Sequence, residues 1–219
     1  MIIGFTGLIG AGKDTVASMI HAIDPTYEIK SFADRLKDMT SALFGWDRMM
    51  LQGTTPESRL WREQPDPILS ELFQKTITPR NQLQHLGFSM KTVLNPDVWA
   101  LFLKDEILKK DLKNVLITDV RSSGEINMVR SLGGLIIRIE RGILPDWFSL
   151  AEQFNVEFPK ADDLPDKNGR YAFLCDIHPT EWKWVGIDKP DYVIQNNATL
   201  DTLHHRVTEL FSTLIKKTN

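Results

Sequence analysis

The amino terminus combines a short apolar run, a glycine-rich turn and a helical pattern. The apolar run Ile2–Thr6 has the character of a strand that is buried on both faces. It leads into GLIGAGK (residues 7–13), which has the G-x-x-x-x-G-K spacing. Beyond it, Val16, Ile20 and Ile23 recur at helical spacing. A strand, a glycine turn and a helix in this order predict a loop that binds phosphate groups.

The residue types of this loop suit a nucleoside triphosphate. Glycines allow successive backbone N–H groups to turn toward phosphate oxygens, and Lys13 adds a positive charge that we expect to face solvent. The amino end of the following helix also attracts an anion. We therefore assign ATP to Gly7, Gly10, Ala11, Gly12, Lys13, Asp14 and Thr15.

The loop departs from its usual pattern at one position. Serine or threonine normally follows the lysine and meets Mg²⁺, whereas this chain has Asp14 and only then Thr15. Asp14 could bind the metal directly or through water, and Thr15 could bind a phosphate oxygen instead. Both residues are candidate metal ligands.

Four more apolar runs, at residues 27–32, 115–118, 135–139 and 192–194, predict further strands. Segments with helical spacing lie between them, and the last helix carries an apolar stripe at Leu203, Val207, Leu210 and Leu214. Strands that alternate with helices predict an α/β fold with a five-stranded parallel sheet flanked by helices.

Two stretches interrupt the alternation. Residues 46–77 contain three prolines and are expected to be irregular, and residues 142–189 are too long for a simple connection. We interpret the first as a cap and the second as a lid, although a static insertion filled by its aromatic side chains would also fit. The predicted organisation is one domain, 1–219, with a core of 1–45, 78–141 and 190–219, an acceptor-side insertion 46–77 and a lid 142–189.

Helix signals lie between these insertions. Thr78-Pro79 predicts a helix start, with the helix continuing through Leu86. Asn95-Pro96 predicts another start, and we expect that helix to bury Val98, Leu101, Phe102 and Leu108.

Charged residues at strand ends and helix starts are candidates for the chemistry. Asp119 follows the third strand, where α/β sheets bind ligands, and could orient metal-bound water or cap a helix. Arg80 lies in the first turn of its helix, which the helix dipole disfavours unless the arginine faces a phosphate or solvent. Arg141 closes the fourth strand and could contact adenine, the transferred phosphate or only water.

Composition excludes several other classes of protein. A net charge of −3 predicts no sequence-independent binding of nucleic acid. Cys175 is the only cysteine, so neither an intrachain disulfide nor a cysteine-built zinc site is possible. No basic leader and no apolar run near the ~20 residues of a membrane span are visible, so we expect a cytoplasmic protein without a membrane partner.

An ordered set of motifs resembles the bacteriophage-type deoxynucleoside monophosphate kinases. The motifs are GKDT (12–15), FADRLK (32–37), RNQLQHLG (80–87), DVW (97–99), DVR (119–121) with Glu125, and HPTE (178–181). The resemblance implies a P-loop nucleoside monophosphate kinase fold, the substrates ATP and a deoxynucleoside monophosphate (dNMP), Mg²⁺, a homodimer and, for a phage-encoded chain, the host cytoplasm.

The resemblance and the suitability of guanidinium groups for phosphate define the remaining site residues. The candidate catalytic residues are Lys13, Asp119, Arg121 and Arg141, and the candidate metal ligands are Asp14, Thr15 and Asp119. The candidate substrate-binding residues are Arg35, Lys37, Arg80, Gln84, Trp99, Arg121, His178 and Glu181. Taken alone, His178 is more often structural than catalytic. Phe88-Ser89 and Ser122-Ser123 depart from the family pattern, which leaves the base preference open.

Two other functions remain compatible with the sequence. A kinase of another small phosphorylated metabolite, such as dephospho-coenzyme A, would share the loop and the fold. A nucleotide-binding regulatory module would hydrolyse ATP slowly and act through partners.

Overall fold

The computed structural model describes residues 1–159 and 165–218 of the chain. It contains two compact units, one formed by Met1–Ser31 with Lys104–Asn219 and the other by Phe32–Leu103. The predicted division into core, acceptor-side insertion and lid is a functional one and stays a prediction.

The first unit contains a parallel five-stranded sheet. Its strands are β1 Ile2–Thr6, β2 Glu28–Lys30, β3 Val115–Ile117, β4 Leu135–Glu140 and β5 Tyr192–Gln195. They lie in the order β2-β3-β1-β4-β5, and every pair is parallel. The predicted α/β class, with five parallel strands, is confirmed.

Eleven α-helices lie within the described residues, and their bounds are as follows. They are α1 Lys13–Ile23, α2 Asp34–Phe44, α3 Arg48–Gln52, α4 Pro56–Glu63, α5 Pro67–Leu72, α6 Pro79–Val93, α7 Val98–Lys109, α8 Ser123–Ser131, α9 Trp147–Glu157, α10 Pro179–Trp182 and α11 Leu200–Thr218.

The core of the first unit forms around β1, whose five residues are all buried. Phe5 of β1 belongs to one apolar cluster with Val16 of α1 and with α11. The α11 residues of the cluster are Leu203, Val207, Phe211 and Leu214, and Leu210 packs against it partly buried. This apolar stripe was predicted, and it fixes the sheet and α1 around the glycine loop that joins them.

The second unit contains three helices where the sequence predicted irregular chain. Each of α3, α4 and α5 begins at a side-chain cap, formed by Asp47, Thr55 and Asp66. Pro56 and Pro67 stand at the first helical position, where the missing N–H costs no hydrogen bond. The prediction for residues 46–77 was wrong because prolines that start helices were interpreted as helix breakers.

Helices α6 and α7 follow their predicted starts but differ in extent and orientation. Thr78 caps α6, which continues to Val93 rather than ending near Leu86. In α7, Leu101 and Leu108 are 50% and 61% exposed, whereas Trp99 is buried. The predicted buried face is right at Val98, which is buried, and wrong at Leu101 and Leu108. Apolar residues surround the start of α7, so periodicity cannot select one face.

The segment of residues 142–189 has an aromatic core of its own. Phe148, Phe154, Tyr171, Trp182 and Trp184 are buried. The ring centroid of Phe154 lies 5.2 Å from that of Tyr171 and 5.3 Å from that of Trp182. Residues 160–164 of the predicted lid lie outside the described residues. Within the described residues, no helix combines the length and the apolar character that crossing a membrane requires.

Candidate functional site

The glycine loop connects β1 to α1 and needs glycine at defined positions. Gly7, Gly10 and Gly12 have φ angles of 140°, 76° and 103°, in the region that disfavours other residues. A Cβ at Gly7 would lie 2.4 Å from the carbonyl oxygen of Ile139, and one at Gly12 would lie 2.6 Å from Nδ2 of Asn196. The spacing of the motif therefore reflects both backbone conformation and close packing.

Lys13 is buried, contrary to the prediction that it faces solvent. It is the first residue of α1 and is 7% exposed. Its Nζ donates hydrogen bonds to the carbonyl oxygens of Gly7 at 2.8 Å and Leu8 at 2.9 Å. Side chains in a helix point toward its amino end, so Lys13 lies back across the loop. The loop carbonyls hold its ammonium group.

The environment of Lys13 weakens its hold on the proton. Burial, and secondarily the positive charge of Arg121, lowers the pKa of Lys13 to about 8. The carboxylates of Asp14, Glu181 and Asp119 raise this pKa but do not compensate. An arriving anion would favour the protonated form.

Glu181 connects the phosphate loop to Arg121. Its Oε1 accepts a hydrogen bond from Nη1 of Arg121 at 2.7 Å, and its Oε2 accepts one from the backbone N–H of Ile9 at 3.3 Å. Glu181 lies on α10, whose first turn is capped by Nδ1 of His178. The structure thus gives His178 a capping role and brings Glu181 to the loop.

The segment after β3 holds Asp119 and Arg121 by separate contacts. Oδ2 of Asp119 accepts a hydrogen bond from the hydroxyl of Ser31 at 2.6 Å. Ser122, not Asp119, caps α8, so the cap interpretation of Asp119 is wrong. Glu125 accepts a hydrogen bond from the backbone N–H of Arg121 at 2.6 Å.

The predicted metal ligands offer oxygens but no closed metal cage. Asp14 and Thr15 lie exposed in the first turn of α1. No group of three or more His, Cys, Asp or Glu residues that could hold a metal occurs in the part of the chain that the structure describes. Mg²⁺ commonly takes one or two carboxylates and completes its shell with phosphate and water. The donor set of Asp14, Thr15 and Asp119 fits that chemistry.

Two side-chain hydrogen bonds fix the glycine loop to other parts of the first unit. Neither was predicted from the sequence. Nδ2 of Asn196, directly after β5, donates to the carbonyl oxygen of Ala11 at 2.9 Å. Thr6, directly before the loop, donates its hydroxyl hydrogen to Oδ2 of Asp188 at 2.9 Å. A polar residue at the carboxyl end of a strand was the one signal for Asn196. Asp188 had no local signal.

Asp188 also anchors Arg138. It is fully buried and accepts hydrogen bonds from Nε of Arg138 at 2.8 Å and from Nη2. Burial alone would lower the pKa of Arg138, but the bonds to Asp188 raise it above its ordinary value. The guanidinium also lies over the rings of Phe148 and Trp184. Arg141, by contrast, lies exposed just after β4.

The remaining site candidates lie in the second unit. Among them, Arg80 lies close enough to Arg62 for the two positive charges to interact. It lies in the first turn of α6, and its Nε forms an ion pair with Glu63. Gln84 lies one turn later on the same helix and is exposed. Sequence reasoning missed Arg62, whose buried Nε has no hydrogen-bond partner among the described residues. Burial, and then the charge of Arg80, lowers the pKa of Arg62.

Arg35, Lys37 and Trp99 have partners within the second unit. The guanidinium of Arg35 lies 5.2 Å from the ring centroid of Phe102. Nζ of Lys37 donates to Oε1 of Gln52 at 3.1 Å. Trp99 is 6% exposed, and its Nε1 donates to the carbonyl oxygen of Gly87. Trp99 thus packs within the second unit, and its assignment to the substrate stays a prediction.

Comparison with known proteins finds a viral relative along nearly the whole chain. No family model matches. The chain is 28% identical over 214 residues to a protein of Acanthamoeba polyphaga mimivirus described as "Putative deoxynucleotide monophosphate kinase", and the match covers 94% of each.

Among solved structures, dephospho-CoA kinase from Campylobacter jejuni is 15% identical, with a TM-score of 0.45, over 100% of this chain and 98% of that one. Shikimate kinase from Acinetobacter baumannii is 13% identical, with a TM-score of 0.42, over 99% and 93%. The motifs predict a resemblance to deoxynucleoside monophosphate kinases. The similarity to the viral relative confirms this resemblance along nearly the whole chain.

Proposed function

We propose that this chain transfers the γ-phosphoryl group of ATP to a deoxynucleoside monophosphate, which gives a deoxynucleoside diphosphate and ADP. The observation that carries the proposal is the similarity to the viral protein over 94% of both chains. The glycine loop, with its buried lysine and neighbouring arginine and acidic side chains, supports it independently, because those groups suit phosphoryl transfer.

The proposed reaction requires little covalent chemistry from the protein. An oxygen of the acceptor phosphate attacks the γ-phosphorus, and the bond from that phosphorus to the β–γ bridging oxygen breaks. The electron pair leaves with ADP. The acceptor phosphate is already an anion, so no general base is needed. Positioning and charge neutralisation therefore supply most of the rate.

The first unit is proposed to bind ATP. Backbone N–H groups of the loop would donate to the β- and γ-phosphates, while Lys13 would leave its carbonyl partners to face the same oxygens. Asp14, Thr15 and Asp119 would hold Mg²⁺ directly or through water. When bound, Mg²⁺ neutralises charge on the phosphate oxygens. Arg141 is proposed to contact adenine or the transferred phosphate.

The acceptor is assigned to arginines and their neighbours. We propose that Arg35, Arg80 and Arg121 bind the acceptor phosphate, because a guanidinium fork matches two phosphate oxygens. Lys37 and Gln84 are proposed to contact the rest of the acceptor. The homodimer and the cytoplasmic location that the resemblance implies stay proposals.

The 142–189 segment is proposed to close over the reacting groups. A kinase must exclude water, because water would otherwise take the phosphoryl group. The contact of Glu181 with the loop N–H of Ile9 supports a role for the end of this segment in nucleotide binding.

An acceptor panel tests the proposal. The protein would be incubated with ATP and Mg²⁺ and each of the dNMPs, the ribonucleotides and dephospho-coenzyme A, with Lys13→Ala as the control. The proposal expects equal amounts of ADP and a deoxynucleoside diphosphate, read by nucleotide chromatography. If dephospho-coenzyme A were the one acceptor phosphorylated, the chain would be a kinase of that metabolite instead. If ADP were released at the same rate with and without every acceptor, the regulatory module would be favoured.

A further inference from the structure

The carboxylate of Glu181 binds two donors that the proposed function assigns to phosphate. It accepts from Nη1 of Arg121 at 2.7 Å and from the loop N–H of Ile9 at 3.3 Å. Both partners of the ion pair are shielded, since the side chains of Arg121 and Glu181 are 29% and 21% exposed. One side chain therefore holds a guanidinium and part of the phosphate loop at the same time.

A carboxylate and a phosphate compete for such donors. Both are oxyanions that accept charge-assisted hydrogen bonds from the guanidinium fork, and a single N–H donates one strong bond. Negative charge also remains near Lys13, because Glu181 is among the groups that raise its pKa. Phosphate cannot take the Ile9 N–H while Glu181 keeps it.

We propose that Glu181 is an internal competitor that the phosphates of the substrates displace from Ile9 and Arg121. The proposal rests on the proposed function, which assigns those donors to phosphate. It adds that substrate binding includes breaking a protein ion pair, so the chain binds polyphosphate less tightly than its donors alone would allow.

The packing of α10 defines what moves. Trp182, the next residue after Glu181, is 1% exposed. Its carbonyl oxygen accepts a hydrogen bond from Nδ2 of Asn155 at 2.8 Å. The backbone next to Glu181 is therefore fixed, and we expect the Glu181 side chain to swing away while α10 stays in place.

A second role for Glu181 predicts a different result. If Glu181 only orients Arg121 for the acceptor phosphate, removing its charge would loosen Arg121 and would not strengthen the binding of ATP in the absence of acceptor. If it competes, removing its charge would free the donors and strengthen the binding of ATP. The change in ATP affinity therefore separates the two roles.

The test is the affinity of Glu181→Gln and Glu181→Ala for ATP and for inorganic tripolyphosphate, measured by calorimetry without any acceptor. Competition predicts binding about threefold to tenfold tighter than in the wild type, the scale of one partly shielded ion pair. The alanine variant matters because a glutamine oxygen could still accept from Arg121. Glu152→Gln removes an exposed carboxylate from α9 and serves as the charge control. Unchanged or weaker binding in both Glu181 variants would overturn the proposal.

A double variant separates displacement from simple repulsion. In Arg121→Met, Glu181 loses the partner that holds it at the loop, so the gain from Glu181→Ala should shrink. A gain that persists in full would mean that Glu181 only repels the anion, and the competition would be rejected. No acceptor enters these measurements, so a failure of the acceptor panel and a failure of this inference are distinguishable.

Discussion

The side-chain amide of Asn196 donates a hydrogen bond to the carbonyl oxygen of Ala11 at 2.9 Å. The two residues are 185 positions apart in the chain. The backbone N–H of Asn196 also donates to the carbonyl oxygen of Glu140 at 2.7 Å. The end of β5 therefore holds the phosphate loop and the end of β4 together.

Replacing Asn196 should loosen the loop. Asn196→Ala leaves the carbonyl oxygen of Ala11 without this donor, so we expect a loss of about 1 kcal/mol in unfolding free energy and weaker ATP binding. Urea unfolding and calorimetry measure the two effects. Asn197→Ala is the matched control, because Asn197 accepts from the backbone N–H of Gly142 instead. Equal effects of both variants on ATP binding would contradict a specific role for Asn196.

Removing the charge of Lys13 should nearly abolish phosphoryl transfer. We expect Lys13→Ala to lose at least about 3 kcal/mol of transition-state stabilisation, because its ammonium is proposed to neutralise charge on the transferred phosphate. The fold should survive, as circular dichroism would show. If Lys13→Ala turned over substrate at nearly the wild-type rate, the assignment of ATP phosphates to the glycine loop would be rejected.

The lowered pKa of Lys13 makes stability depend on pH in a defined direction. The pKa falls from 10.5 to about 8 in the folded chain. Between these values the unfolded chain binds more protons, so the contribution of Lys13 to stability rises with pH. Relative to Lys13→Met, the wild type should gain about 1 kcal/mol between pH 7.5 and pH 9.0 in urea unfolding. Lys75 is exposed, so Lys75→Met is the control. The difference in unfolding free energy between the wild type and Lys75→Met should stay constant over the same pH range.

Replacing the arginines assigned to the acceptor phosphate should raise the Michaelis constant for the acceptor. We expect Arg80→Ala and Arg121→Ala each to cost several kcal/mol of transition-state binding, roughly the scale of charge-assisted bonds in a closed site. Neither variant should weaken the binding of ATP. Arg48→Ala, which removes a guanidinium that pairs with Asp38, is the control. Loss of ATP binding with an unchanged acceptor constant would contradict this division of roles.

Local patterns predicted the glycine loop and the sheet because their causes lie within a few residues. Glycines that must take positive φ angles and apolar runs that form buried strands are visible in sequence. The Thr6–Asp188 and Asn196–Ala11 bonds were not predictable, since they join distant positions through the fold. The burial of Lys13 was missed for a different reason. The motif gives its charge but not the direction of its side chain.

The 142–189 segment is expected to close over the bound substrates. If it is a lid, backbone hydrogen exchange in peptides that cover residues 142–159 and 165–189 should slow when ATP and a dNMP are both bound. The buried rings of Phe154 and Trp182 and the bonds from Asn155 already order part of it. We therefore expect the largest change outside that aromatic core, with little change in β1 and β3.

The aromatic core itself allows a control. Phe154→Leu should loosen the packing around Tyr171 and Trp182, because the ring that contacts both is lost. Exchange in this segment should then rise without ligand, while bound substrates should still slow it. Equal and strong protection with and without substrates in the wild type would mean a rigid insertion. Exclusion of water would then have to come from other parts of the chain, and the role of the segment would reduce to presenting Glu181 to the phosphate loop.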